Sequence, residues 1–128
     1  MMVLFNDPLP CPDPAERAVR MAVAMRDCVA ALTGQWQKKG YRLGFGVGIA
    51  QGEATLGRIG FEGRLDYAAI GTVCNLAARL CAEAADGQIL IDGLVAEAAD
   101  VLANLEPVGP LILKGFAERW LGESGQWR

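Results

Sequence analysis

Histidine is absent from this 128-residue chain, which removes imidazole acid/base catalysis, triads built on a histidine and histidine-bearing zinc sites. Its four cysteines, Cys11, Cys28, Cys74 and Cys81, include no CxxC pair. A thiolate zinc site therefore lacks its spacing, and the four read as reduced thiols. No apolar run is long enough to span a bilayer, and the N-terminus has no basic stretch followed by an apolar segment and a cleavage site. Blocks of one charge sign are missing too. The net charge is -3 with acids and bases interspersed, so nothing pulls the chain toward nucleic acid or an anionic membrane. A soluble, cytoplasmic chain is expected, and any catalysis must use carboxylates, cations, amides or bound metal.

What the chain has is apolar content: 52% hydrophobic residues, with a mean hydropathy of +0.23. At this length that suffices for one core and one domain. MMVLF reads as a short buried strand, ended by NDPLPCPDP, whose prolines exclude helix and central strand. Asp13, Pro14 and Glu16 form the N-cap, first-turn proline and third-position acid of a capping box. In the helix that follows, Ala15, Ala18, Ala22, Met25, Val29 and Leu32 recur at helical spacing as an inward stripe. Gly40 is the expected stop.

Residues 43 to 52, LGFGVGIAQG, alternate bulky and bare positions. Leu43, Phe45, Val47 and Ile49 give one face, and Gly44, Gly46 and Gly48 the other, so the period is that of a strand. Bare strand faces admit a close neighbour, either a ligand or a packed helix, and the helix is the expected occupant. A turn at Gln51 and Gly52 is expected to pair this strand with ATLGRIG as a hairpin. GFEGRLD reads as a polar connection, followed by a short strand over residues 65 to 69. A second helix runs from Thr72, its expected cap, to about Ala85. Beyond it lie the strand GQILI, the short helix GLVAEAADVL and the strand PLILKGF. These elements predict an α+β sandwich, a mainly antiparallel sheet with helices packed on one side.

The second helix carries the most informative pair. Val73, Leu76, Ala77, Leu80 and Ala84 form its inward stripe, whereas Asn75 and Arg79 share another face one turn apart. An arginine there points back toward the helix start, whose free amides and dipole favour an anion. An amide can orient a sugar or phosphate oxygen, and a guanidinium can neutralise charge building on a phosphate. On spacing alone, a solvated polar face accounts for the pair better than a site does. Glu53 with Arg58, and Arg64 with Asp66, read as surface pairs. Asp92 reads as a turn or cap residue, and Cys74 with Cys81 as small packing residues.

The order of the motifs changes the reading of Asn75 and Arg79. GFGVGIAQGEATLGRIGFEGRLDYAAIGTVCNLAARL followed by GQILI resembles the class III adenylate and guanylate cyclase catalytic domain. The family's Tyr-x-x-x-Gly-x-x-x-Asn-x-x-x-Arg segment is matched without a gap by Tyr67, Gly71, Asn75 and Arg79. FNDPLPCPDPAERAVRMA and LILKGF are similar to further family segments, so the resemblance spans roughly residues 2 to 117. It implies a ferredoxin-like sandwich that converts a nucleoside triphosphate, ATP more than GTP, to a 3',5'-cyclic nucleotide and pyrophosphate in intracellular signalling. It also implies a homodimer with sites at the interface, and two Mg2+ or Mn2+ ions held by two aspartates of the other domain. Asn75 would position the ribose and Arg79 stabilise the transition state. Ala68 and Ile70 would lie at the base, and Lys114 would reach the triphosphate, although an exposed lysine at a strand end accounts for Lys114 equally well.

Departures from the family pattern carry their own expectations. The family's metal aspartates and purine-reading lysine would precede Met1. Residues 1–128 are thus expected to be a partial catalytic domain without first strand, first helices or metal ligands, inactive by itself. Asp7, which follows the MMVLF strand, is a poor substitute for those ligands. Where the family carries aspartate, threonine or cysteine against the purine, this chain has Ala68, which has no side-chain hydrogen bond to give. A non-catalytic nucleotide-binding or regulatory dimerisation module is the alternative.

Overall fold

The computed structural model describes residues 1–99, 105–108, 113 and 125–127. In chain order its elements are α1 (Pro14–Gln37), β1 (Val47–Ile49), β2 (Thr55–Phe61), β3 (Arg64–Ile70), α2 (Thr72–Glu83), β4 (Ile89–Ile91), α3 (Gly93–Ala98), β5 (Leu105–Pro107) and β6 (Gly125–Trp127).

Pro14 opens α1 at a position where a missing N–H costs nothing. The capping box does not form. Asp13 takes a left-handed backbone with φ of 50° and makes no side-chain cap, and Glu16 instead pairs with Arg20 one turn on at 2.5 Å. At the far end Trp36 O accepts from Lys39 N at 2.9 Å and Tyr41 N at 3.1 Å, with Gly40 at φ +90° letting the chain turn off the helix. Ala15, Ala18, Val19 and Ala22 are buried, but Leu32, expected inside, is 44% exposed. A helix of 24 residues runs about 36 Å, far beyond the three-residue strands it packs on.

Four strands form one sheet in the order β1-β4-β6-β5. β1 and β4 run parallel, with Val47 opposite Ile89 and Ile49 opposite Ile91, and β6 joins both β4 and β5 antiparallel. Alternation along β1 and β4 sorts the core. Val47, Ile49, Ile89 and Ile91 pack with Ala15, Val19 and Ala22 of α1 and Val95 of α3. Leu90, on the other face, packs with Leu80 and Leu76 of α2 and with Leu113. The α+β, cyclase-like architecture is as expected, and it is refined in one respect: the two long helices cover opposite faces of this sheet.

The glycine face of residues 44 to 48 seats a helix. A side chain on Gly48 would come within 2.3 Å of Cys81 N and 2.4 Å of Ala77 O, and one on Gly46 within 2.9 Å of Ala84 Cβ. Bare backbone is what lets α2 lie against the strand at this distance.

Several expectations are corrected. MMVLF is not a strand: residues 1 to 4 are exposed and irregular, and no described segment offers them the ladder partners that a strand requires. The hairpin is not the one expected from the turn at Gln51. β2 pairs antiparallel with β3, Thr55 opposite Ile70 through Phe61 opposite Arg64, as a separate two-stranded sheet. Glu62 and Gly63 make its turn, Gly63 at φ +92°, so GFEGRLD is a hairpin tip and not a connection. Gln51 instead gives its N–H to Asp92 Oδ2 at 3.1 Å. Thr72 does not cap α2; Gly71 precedes it, and no side chain caps the helix. The PLILKGF strand, apart from Leu113, lies outside the described residues.

Candidate functional site

β3 feeds α2 through Gly71 alone. A side chain at Gly71 would meet Glu53 O at 3.0 Å and Ala54 Cα at 3.3 Å, so the hairpin base and helix start are held tightly together. Strand alternation puts Ala68 and Ile70 on one face of the hairpin and Tyr67 and Ala69 on the other. Ala68 is half-buried, whereas Ile70 is exposed.

α2 turns Leu80 fully inward and exposes Asn75 and Arg79. The amide and the guanidinium sit one turn apart, and neither makes a hydrogen bond or ion pair with a described residue. Cys74 is half-buried, and Cys81, read from sequence as a packing residue, is exposed. Only the backbone of Cys81 packs on Gly48, and its thiol reaches Gly46 O at 3.5 Å. Glu53, Arg58, Arg64 and Asp66 are exposed as expected, but neither expected pair comes within ion-pair distance. Lys114 lies outside the described residues.

An open cleft of about 470 Å³ lies where the β1–β2 connection and the starts of α2 and α3 converge, lined by Gln51, Gly52, Glu53, Thr72, Val73, Leu76, Asp92, Gly93, Leu94 and Glu97. It borders the helix that carries Asn75 and Arg79, but neither residue lines it, nor do Ala68 and Ile70.

Asp92 reads from sequence as a turn or cap residue. It is one, since its Oδ1 accepts from Val95 N at 2.8 Å, but its second oxygen also ties down Gln51, and the residue is 3% exposed. Burial pushes its carboxyl above the ordinary range, against the two backbone hydrogen bonds that pull it down. The contact between Tyr67 and Asp7 was not foreseen. The phenol donates to Asp7 Oδ2, and that hydrogen bond, with some burial and the adjacent negative charge, raises the Tyr67 pKa.

Among the described residues no three histidine, cysteine, aspartate or glutamate side chains converge on a metal-sized site. Nor is any described helix long and apolar enough to cross a membrane.

Residues 1–123 match the model of the adenylate and guanylate cyclase catalytic domain. The adenylyl cyclase CyaB from P. aeruginosa has a similar structure, with a TM-score of 0.83 at 30% identity over 97% of this chain and 64% of that one. The guanylyl cyclase Cya2 aligns with a TM-score of 0.79 at 28% identity, covering 96% of this chain and 62% of its own. Among curated proteins, an uncharacterised protein of Mycobacterium tuberculosis is 31% identical over 102 residues, 77% of this chain and 17% of its own length. Adenylate cyclase 1 of Rhizobium meliloti is 29% identical over 120 residues, 90% of this chain and 18% of its own. The chain thus spans under a fifth of these curated relatives and just under two thirds of the two solved structures. It belongs to the adenylate and guanylate cyclase catalytic domain family.

Proposed function

We propose that this chain contributes the ribose- and phosphate-handling half of a nucleotidyl cyclase site, completed across a dimer interface by a cyclase domain that supplies the metal-binding aspartates, in cytoplasmic signalling. The observation that carries the reading is that Asn75 and Arg79 lie one turn apart on the exposed side of α2, while Leu80 packs inward. In the reaction, the ribose 3'-oxygen bonds to the α-phosphorus, the bond from that phosphorus to the β-phosphate oxygen breaks, and pyrophosphate leaves. The hydroxyl proton passes to a base outside the described residues. The Asn75 amide orients the ribose, and the Arg79 guanidinium neutralises charge on the phosphorus-bound oxygens. At the start of α2, which has no side-chain cap, the Thr72 and Val73 amides add to the field that favours the same anion, Cys74 N being bonded to Gly71 O.

The base rests against Ala68 and Ile70, with Lys114 reaching the triphosphate. Ala68 offers the purine no hydrogen bond, so discrimination between purines is modest. ATP is the substrate put first, because the named curated relative is an adenylate cyclase. The Mg2+ or Mn2+ implied by the resemblance would be held by groups outside the described residues, and the roles of Asn75 and Arg79 do not depend on it. Dimerisation is supported by the hairpin, whose Ile59, Phe61, Leu65 and Ile70 are exposed apolar residues on a ribbon that pairs with no third strand among the described residues.

Cyclic nucleotide formation from ATP and GTP with manganese tests the reading, using the chain alone and the chain mixed with a cyclase domain that supplies metal-binding aspartates. The chain alone should be inactive and the mixture active. A mixture that binds nucleotide without cyclising it would favour a non-catalytic regulatory module, a reading that Ala68, with no side-chain hydrogen bond for the base, also permits.

A further inference from the structure

The β2–β3 hairpin forms a sheet of its own, and a two-stranded ribbon by itself is only marginally stable in water. Its base is held where Gly71 meets Glu53 and Ala54. Further along, the Tyr67 hydroxyl donates to Asp7, a residue 60 positions away. Asp7 is half-buried in a folded loop and not on a loose tail, since next to it Asn6 Oδ1 accepts from Cys11 N at 2.8 Å. That loop leads directly into α1, whose start is packed in the core. Because successive side chains alternate across a strand, Tyr67 braces β3 from the face opposite Ala68 and Ile70.

We propose that Tyr67 is a positioning residue: held by the Asp7 carboxylate, it sets the tilt of the hairpin and so places Ala68 and Ile70 against the nucleotide base. The inference rests on the preceding reading for the nucleotide, but not for the brace itself. A hydrogen bond to a carboxylate is stronger than one to a neutral acceptor, and here it joins the ribbon to the loop that leads into α1. Tyr67 then acts through the backbone of its neighbours and touches no substrate atom.

The brace is tested first without nucleotide. Amide hydrogen exchange in Y67F should speed up by about three- to tenfold over residues 64 to 70, the effect of one partly exposed charge-assisted hydrogen bond, with β4 unchanged. In a Y41F background, where Tyr67 is the one tyrosine left, D7A should move its ionisation, followed by ultraviolet absorbance, down toward the ordinary value. D7N, which keeps an acceptor oxygen, should restore most of the exchange protection. Unchanged exchange in Y67F, or a Tyr67 ionisation indifferent to D7A, overturns the brace.

Positioning is tested in the mixture with an aspartate-bearing cyclase domain. Y67F and D7A should each raise KM for ATP about five- to tenfold with kcat within about twofold, the double variant should be no worse than either, and D7N should recover most of the loss. Equal KM values in all variants overturn the positioning role even if the brace exists. A mixture inactive with the unaltered chain sinks the cyclase reading and with it the positioning role, while exchange and ionisation still decide the brace.

Discussion

Asp92 and Gln51 are joined across the ends of the two parallel strands: Gln51 N donates to one carboxylate oxygen at 3.1 Å, and the other oxygen caps α3 through Val95 N at 2.8 Å. One buried side chain thus holds the β1–β2 connection and the α3 start together, and both segments line the cleft.

D92A should destabilise the chain by about 2 kcal/mol, because it leaves two backbone donors without their acceptor; denaturant unfolding measures it. The pH dependence has a definite sign. The folded carboxyl is raised above its ordinary value of 3.8, so in the window above 3.8 the folded chain binds more protons than the unfolded one. Stability from Asp92 is therefore fully present below about that pH and is lost as pH rises through the folded pKa. The stability difference between the unaltered chain and D92N should shift in favour of the unaltered chain as pH falls from 7 toward 4. A difference that is flat with pH would contradict this.

G48A should push α2 off β1. The added methyl would sit 2.3 Å from Cys81 N and 2.4 Å from Ala77 O, both backbone atoms that no rotamer change can move. A loss of about 2 to 3 kcal/mol is expected, read as a lowered unfolding midpoint. G57A, at a position with open space around it, is the control and should change stability by less than about 1 kcal/mol.

N75A and R79A should leave stability within about 0.5 kcal/mol, since both side chains are exposed and make no hydrogen bond or ion pair with described residues. In the mixture that supplies metal-binding aspartates, R79A should lower kcat by about 10²- to 10³-fold, the size seen when one donor to a developing oxyanion is removed. R79K should not rescue it fully, because an ammonium cannot reproduce the planar fork. Wild-type turnover by R79A would remove Arg79 from the chemistry.

A68D should sharpen base choice. A carboxylate at this position accepts from the amino group of adenine and repels the carbonyl oxygen of guanine. The ATP to GTP ratio of kcat/KM should rise by about tenfold, roughly one hydrogen bond of free energy, as measured by competition between the two nucleotides. An unchanged ratio would place the base elsewhere than against β3.

Much of the fold was legible because it rests on local regularities. The stripe of Leu76, Leu80 and Ala84, the glycine alternation of residues 44 to 48 and the Asp92 cap each depend on spacing within a few residues. The errors share a cause. The expected hairpin at Gln51 required knowing that the chain would reach instead to Asp92, 41 positions on. The expected capping box required knowing that Asp13 would adopt a left-handed backbone. The strand expected at MMVLF has the right residues, but a strand exists only where a neighbour pairs with it.

The sequence alone therefore determined the α+β class, the inward stripe of α2, and the order of residues from Tyr67 to Arg79 that marks the family. Tertiary structure decided which strands pair, that the two long helices take opposite faces of the sheet, that Asp7 meets Tyr67, and that Asn75 and Arg79 face outward together. The physical reason is range. Periodicity and capping act within one or two turns of backbone, whereas pairing, close approach and hydrogen bonds across 41 or 60 positions exist only once the chain has closed on itself.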